Sequence, residues 1–325
     1  MIKRSLPLLF VLLLPLAAAD AGRRAVTHED VWLMRRVGSP VASPDGTRVV
    51  FSVTMPAYEA KAQTSDLWIV PVDGSAEPRQ ITHDKATESG VAWSPDSARI
   101  AFSAKREGDE AAQIYVIDLA RGGEAQRITD VVTGARQPRW SPDGKHLLFV
   151  SEVYPGAADE EANRKAAKAV KERKHTARVY DSFPTKYWDR WLDERKGHLL
   201  VQEAKPGAKS RDLLAGTRLA AEPGFGGRQG ESGEDLPAAW TPDGTSVVFV
   251  ATTARNRGAF ASVPTQLFQV DLKGGEPRPL TADKDSYDDP EFSEDGKSLR
   301  VALSAGGDGK TYHHARAASF PWPFD

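Results

Sequence analysis

A short turn motif recurs five times along this chain and constrains its fold more than any other feature. Each copy has an apolar residue, then Ser or Thr, Pro, Asp and Gly, followed by a β-rich run. The copies are Ala42-Ser43-Pro44-Asp45-Gly46, Trp93-Ser94-Pro95-Asp96-Ser97, Trp140-Ser141-Pro142-Asp143-Gly144, Trp240-Thr241-Pro242-Asp243-Gly244 and the weaker Phe292-Ser293-Glu294-Asp295-Gly296. Proline presets φ for a type I turn, aspartate accepts local hydrogen bonds, and glycine takes the left-handed position. Each copy therefore predicts a β-hairpin.

The residues around each turn keep one register. The position seven residues after the proline, or after Glu294 in the last copy, holds Phe51, Phe102, Phe149, Phe249 and Val301. The tryptophans before the turns, Trp93, Trp140 and Trp240, are expected to lie in the core. The turn aspartates, Asp45, Asp96, Asp143, Asp243 and Asp295, look like a carboxylate array. Because they repeat at one structural position, we interpret them as turn caps.

A second hairpin follows the first in three copies, which gives units of four strands. Four strands in about 40–50 residues are typical of a propeller blade. The sequence therefore predicts an all-β propeller over residues 22–303, whereas a repeating sandwich would not need one motif at one register. The turn prolines stand at positions 44, 95, 142 and 242, so the last interval fits two units. We expect a degenerate blade within residues 152–235, five to six blades in all, and an incomplete ring.

Composition excludes several classes of function. The net charge of −2 offers no clustered basic face for nucleic acid. The absence of cysteine rules out a thiol nucleophile and a thiolate metal site. His313-His314 is the one tempting histidine pair, but adjacent residues of a strand point to opposite faces. We predict no metal and no cofactor.

The first 21 residues resemble an export signal. Lys3 and Arg4 precede an apolar run, and small residues from Ala17 to Ala21 offer cleavage sites. The run is shorter than the roughly 18 residues that a bilayer span needs, although an uncleaved anchor is the alternative. The sequence thus predicts a signal peptide over residues 1–21, no stable membrane span, and a periplasmic or secreted protein.

The irregular middle of the chain holds the only candidate binding residues. Residues 159–177 lack Pro and Gly and predict an exposed helical insertion, and residues 224–233 hold five glycines and predict a loop. Between them lies an aromatic and charged cluster, Tyr187, Trp188, Asp189, Arg190 and Trp191. Such a cluster suits the amino end and an apolar side chain of a peptide, which makes these five residues the candidate peptide contacts. The pattern favours the other interpretation, a blade core with an exposed ion pair.

Several segments of this middle region resemble a known family. They are Tyr154 to Asp159, Ala177-Arg178-Val179-Tyr180-Asp181, Lys186 to Trp191 and Gly197 to Val201, with Thr27-His28-Glu29-Asp30 before the first blade. Together they resemble the propeller of the prolyl oligopeptidase (S9) family of serine peptidases, within it the dipeptidyl-peptidase 5 and acylaminoacyl-peptidase-like branch. TolB-type propellers share the turn repeats alone.

The resemblance implies an enzyme in which a propeller gates a C-terminal α/β-hydrolase domain that degrades oligopeptides. Such a domain needs a Gly-x-Ser-x-Gly nucleophile elbow. No such motif occurs here; Gly230-Glu231-Ser232-Gly233 fails at its last glycine. We therefore predict no catalytic residue, no activity of this chain alone, and an irregular tail over residues 304–325. The alternatives are a free-standing TolB-like periplasmic propeller that binds protein partners, and a truncated, non-functional remnant.

Overall fold

A computed structural model describes residues 24–59, 62–180, 183–230, 233–261, 263–306 and 314–324. The predicted signal peptide and His313 lie outside these ranges. Within them the predicted all-β propeller is confirmed: five antiparallel sheets follow one another along the chain as blades 1 to 5. Hydrophobic clusters join each blade to the next. No cluster of the described residues joins blade 5 to blade 1.

The strands of the blades have the following bounds. Blades 1 and 2 comprise β1 (Arg36–Val37), β2 (Val41–Ala42), β3 (Arg48–Met55), β4 (Thr64–Pro71), β5 (Arg79–Gln80), and β6 (Glu88–Trp93), β7 (Arg99–Ala104), β8 (Gln113–Asp118), β9 (Gln126–Arg127). Residues of the middle region form β10 (Arg136–Trp140), β11 (His146–Val153), β12 (Lys186–Tyr187), β13 (Arg190–Trp191), β14 (Lys196–Glu203), β15 (Arg211–Asp212), β16 (Arg228–Gly230) and β17 (Gly233–Asp235). Blade 3 is β10-β11-β14-β15, and β12-β13 and β16-β17 are separate ribbons. Blades 4 and 5 comprise β18 (Ala238–Trp240), β19 (Ser246–Ala251), β20 (Gln266–Asp271), β21 (Arg278–Pro279), and β22 (Ser286–Phe292), β23 (Ser298–Ser304), β24 (Arg316–Pro321).

Short or surface helices accompany the sheets in the described ranges. They are α1 (His28–Trp32), α2 (Glu160–Lys171), α3 (Arg218–Ala221) and a 3-10 turn (Arg255–Arg257). The predicted helix over residues 159–177 is confirmed, but it begins after its cap Asp159 and ends at Lys171. None of the helices in the described ranges has the length and apolar composition to cross a bilayer.

The turn aspartates cap their own hairpins, as predicted. In blade 3, Ser141 Oγ donates to Asp143 Oδ1 at 2.6 Å, and the Lys145 amide donates to the same oxygen at 3.0 Å. These hydrogen bonds hold the pKa of Asp143 below its usual range. Gly144 stands at φ +67°, the left-handed position that closes the turn. The other four turns repeat the Ser or Thr to Asp bond.

The tryptophans before the turns tie neighbouring blades together. The indole nitrogens of Trp93, Trp140 and Trp240 donate to backbone carbonyls of the preceding blade at 3.0, 3.2 and 3.2 Å. The acceptors are Val41, Ala92 and Arg139. All three tryptophan side chains are buried, which confirms their place in the core. The Arg99 guanidinium of blade 2 also lies 4.4 Å from the centre of the Trp140 ring. Blades 2, 3 and 4 are therefore each joined to the preceding blade by a hydrogen bond as well as by apolar packing.

The phenylalanine seven residues after the proline faces the preceding blade. Phe102, Phe149 and Phe249 are completely buried in the clusters between blades 1 and 2, 2 and 3, and 3 and 4. Phe51 holds the same position in blade 1 and is only partly buried. No described blade stands in front of blade 1, which explains the difference.

The expectation of a further blade within residues 152–235 is wrong. Trp240 of blade 4 bonds directly to Arg139 of blade 3, so these two blades are neighbours. The extra length lies in two connections of one blade. Residues 154–195 are inserted between β11 and β14, and residues 213–237 join β15 to blade 4. The spacing of the turns gives only the number of residues between them. Here the additional residues form connections and not the strands of a further blade.

Two smaller expectations also need correction. The glycine-rich segment 224–233 is not only a loop, because it contributes β16 and the first residue of β17. The tail over residues 304–325 is not irregular throughout, because Arg316–Pro321 pairs with β23 as the third strand of blade 5. Phe320 of this strand packs on Tyr287 with ring centres 6.1 Å apart. Its apolar side chains contribute to the core between blades 4 and 5.

All five Ser-Pro-Asp-Gly-type turns lie at one end of the blades, because each joins the first strand of its blade to the second. These first strands are β2, β6, β10, β18 and β22. Strands alternate in direction, so the connections after the second and fourth strands lie at the opposite end. We call that end the insertion face. It carries residues 154–195, 213–237 and 252–265. The fold thereby gathers its irregular and charged segments on one surface.

Candidate functional site

The predicted peptide-contacting cluster lies on the insertion face, as the β12-β13 ribbon. Lys186 and Tyr187 pair with Trp191 and Arg190 in a two-stranded hairpin that belongs to no blade. Trp191 is 50% exposed and Trp188 86% exposed. The favoured interpretation of this cluster as a blade core is therefore wrong.

The five residues of the cluster do not act as one unit. Trp188 and Asp189 form the exposed tip of the hairpin, and Trp188 adopts φ +52°, a left-handed conformation that is uncommon for a bulky residue. Tyr187 is partly buried, with its ring centre 5.9 Å from the Arg190 guanidinium. Arg190 and Trp191 line a small pocket.

The Trp191 ring is held as a platform beside that pocket. Tyr180 stacks on it with ring centres 6.1 Å apart, and Lys186 Nζ lies 3.9 Å from the ring centre. The Tyr180 hydroxyl in turn donates to the Leu192 carbonyl at 2.8 Å, which fixes the ring next to the ribbon. A half-exposed indole that is held in a fixed position is suited to packing against an apolar side chain or a peptide plane.

The pocket beneath Trp191 is small and strongly polar. Its volume is about 90 Å³, and the ionisable side chains that line it are Glu152, Arg190, Asp193, Arg195, Glu234 and Arg255. Whole small-molecule sites occupy roughly 300 Å³ or more. The pocket therefore has room for one polar group of a ligand whose remainder lies outside it.

Glu234 organises the floor of this pocket. Its carboxylate accepts hydrogen bonds from the amides of Gly197, at 3.0 Å, and Gly227, and Arg255 Nη1 lies 2.8 Å from its Oε1. It is only 2% exposed. Its backbone amide donates to Glu152 Oε1 at 2.8 Å, which links β17 to blade 3.

The other two carboxylates of the pocket, Glu152 and Asp193, are also paired with arginines. Arg195 binds Asp193 at 2.7 Å and Glu152 at 3.5 Å. Burial would raise the pKa of Asp193, but the Arg195 hydrogen bond and charge bring it below its usual range. Arg136 lies 3.6 Å from Glu152 and donates to the Glu234 carbonyl at 3.1 Å, and burial lowers its pKa. Each carboxylate of the pocket thus already has a cationic partner.

The structure adds a second, larger concavity on the same face. It has a volume of about 410 Å³, is lined mainly by Ala, Gly and other apolar groups, and includes Lys196 and His198. His198 Nδ1 lies 2.7 Å from Asp212 Oδ2, and burial lowers the pKa of Lys196. Lys196 Nζ is engaged with the carbonyls of Ala220 and Glu222 at 3.2 and 2.9 Å.

Sequence reasoning missed Glu152, Arg195, Glu234 and Arg255. They are single charged residues without a motif, and only tertiary structure brings them together. The glycines at 197 and 227 were a weak signal, because their backbone amides donate hydrogen bonds to the Glu234 carboxylate. Among the described residues, no group of three or more His, Cys, Asp or Glu has metal-binding geometry.

Comparison with known proteins agrees with the fold. The family model for the TolB beta propeller domain matches residues 22–181. Dipeptidyl-peptidase 5 of Porphyromonas gingivalis is 28% identical over 289 residues, which cover 88% of this chain and 40% of that protein. The uncharacterized peptidase YuxL of Bacillus subtilis is 33% identical over 143 residues, 44% of this chain and 21% of that protein.

A solved structure shows the same architecture. Acylaminoacyl peptidase of Pyrococcus horikoshii superposes with a TM-score of 0.58 at 17% identity, over 90% of this chain and 39% of that one. At this identity the likeness concerns the fold alone. The chain spans two fifths or less of the length of these curated relatives.

Proposed function

We propose that this chain, which matches the TolB beta propeller domain model over residues 22–181, is the substrate-gating propeller portion of an S9-type serine peptidase that degrades peptides. The observation that carries this proposal is the similarity to dipeptidyl-peptidase 5 over 88% of the chain. Catalysis would require an α/β-hydrolase domain, because no Gly-x-Ser-x-Gly elbow occurs in this sequence.

The insertion face supports a gating role by its chemistry. It presents the fixed Trp191 platform next to a small polar pocket, which together suit an extended peptide rather than a folded surface. A propeller that admits only segments able to reach such a site would exclude folded proteins from the catalytic centre. We further propose that the protein is exported, on the basis of the charged and apolar composition of residues 1–21.

The first experiment tests the peptidase assignment at the gene. We expect the genomic sequence beyond codon 325 or next to this gene to encode a Gly-x-Ser-x-Gly hydrolase segment. A locus without any such segment would contradict the assignment. It would favour a free-standing propeller, which the TolB beta propeller match over residues 22–181 also allows.

The second experiment tests the gate on the purified chain. A short unstructured peptide should bind, and the same sequence placed inside a folded protein should not. Dipeptidyl substrates should not be cleaved by this chain alone. Cleavage that a serine-reactive inhibitor blocks would refute the absence of a catalytic centre.

A further inference from the structure

Within the part of the chain that the structure describes, one arginine of the small pocket has no ion-pair partner. Among the described residues, Arg195 is paired with Asp193 and Glu152, Arg255 with Glu234, and Arg136 with Glu152. Arg190 lines the same pocket, and its Nη2 donates to the Gly230 carbonyl at 3.0 Å. Its Nε is buried and has no hydrogen-bond partner.

Two more unsatisfied polar atoms line the pocket. Arg255 Nη1 is buried without a hydrogen-bond partner, although it lies 2.8 Å from Glu234 Oε1. Gln229 Oε1, on β16, is buried without a hydrogen-bond partner, and the side-chain amide can be turned to present its NH₂ group instead. Buried polar groups without partners are uncommon in folded proteins and call for an explanation such as a bound ligand. Arg190 Nε and Arg255 Nη1 are donors, and the Gln229 side chain is a third donor once its amide is turned, so one acceptor in the pocket would satisfy all three.

We propose that this pocket binds a carboxylate group of a peptide, with Arg190 and the Gln229 amide as donors and Trp191 as the platform for the adjoining residue. This inference rests on the proposed function, and it specifies which group of the peptide is read. A guanidinium fork matches a carboxylate in a bidentate geometry. The volume of about 90 Å³ fits one such group and excludes the remainder of the peptide.

The arrangement disfavours a peptide amine in the same position. An amine would need a free carboxylate, whereas Glu152, Asp193 and Glu234 are each engaged by arginines and, for Glu234, by backbone amides. It would also lie beside the uncompensated charge of Arg190. The sequence suggested that this cluster contacts the amino end of a peptide. The proposed site instead binds a carboxylate of the peptide.

The experiment compares three versions of one short unstructured peptide by isothermal titration calorimetry with the full chain. One has a free C-terminus, one is C-terminally amidated, and one is amidated but carries a glutamate side chain. We expect amidation to weaken binding about tenfold. If the glutamate restores it, the pocket accepts a side-chain carboxylate; if not, it reads the terminus.

Variants identify the residue that is responsible for the difference in affinity between the free-acid and the amidated peptide. Arg190→Gln should reduce the free-acid to amide ratio to about one, and Arg190→Lys should leave it intermediate, because the fork geometry is lost while the charge stays. Arg228→Gln is the matched control. Arg228 lies on the same face outside the pocket and binds Asp235 and Asp288, so the ratio should be unchanged.

The outcomes separate the two proposals. Equal binding of the free and amidated peptides by the native chain would overturn the carboxylate site while leaving peptide gating intact. Absence of binding by every peptide would contradict both. A ratio that Arg228→Gln abolishes as fully as Arg190→Gln would assign the preference to the general charge of the face and overturn the pocket.

Discussion

Phe149 and Phe51 provide a matched test of how the blades are held together. Both stand seven residues after the turn proline, on the strand that follows the hairpin. Phe149 is completely buried between blades 2 and 3, whereas Phe51 is only partly buried on the free side of blade 1. Truncation of either to alanine removes the same atoms and leaves the backbone conformation allowed.

The two substitutions should differ in cost. Phe149→Ala leaves a cavity in a closed cluster and should lower the free energy of unfolding by about 3–5 kcal/mol. Phe51→Ala removes a ring that already contacts solvent, and we expect about 1–2 kcal/mol. Urea denaturation followed by far-UV circular dichroism measures both, with the slope of the transition as a check on cooperativity.

Equal losses from the two variants would refute the reasoning. They would mean that Phe51 is covered as completely as Phe149, and hence that blade 1 has a partner on its free side. A larger loss from Phe51→Ala would contradict the assignment of this position to the contact with the preceding blade.

Three further predictions concern other parts of the structure. Asp143→Ala removes two turn hydrogen bonds and should lower the free energy of unfolding by about 1–2 kcal/mol in urea melts, with unchanged circular dichroism of the folded state. Asn163 on α2 is 2% exposed and bonds Tyr154 and Thr133 at 3.0 and 3.1 Å, so Asn163→Ala should cost about 1–3 kcal/mol and speed proteolysis within residues 154–195; unchanged cleavage there would contradict its anchoring role. Burial raises the pKa of Glu88 to about 7, above its ordinary value of 4.5, so the folded state holds the proton more tightly and stability should fall as pH rises from about 4.5 to about 7. Glu88→Gln should flatten that part of the pH–stability profile, and an unchanged slope would count against the assignment.

The propeller could be predicted because its determinants are local. A turn motif and the phenylalanine in register with it act within a dozen residues, and they recur often enough to reveal a blade. The number of blades could not be read in the same way. The interval between Pro142 and Pro242 is long enough for two blades. Residues 154–195 and 213–237, however, form connections outside the blades and not a further blade.

The candidate site was predictable only in part. The density of aromatic and charged residues pointed to Arg190 and Trp191, and both line the pocket. Glu234 and Arg255 gave no local signal, because their roles depend on contacts with Gly197 and with each other across different connections. The proposed preference of the site for a carboxylate rests on which cations already have partners, and this is a property of tertiary structure.

The central claim is that the insertion face is the surface that receives peptides. Hydrogen–deuterium exchange of the purified chain, with and without a saturating short peptide, tests it most directly. We predict slower exchange in residues 186–195 and 228–235 and no change at the Ser-Pro-Asp-Gly turns. Protection confined to those turns, or no protection despite measured binding, would contradict it.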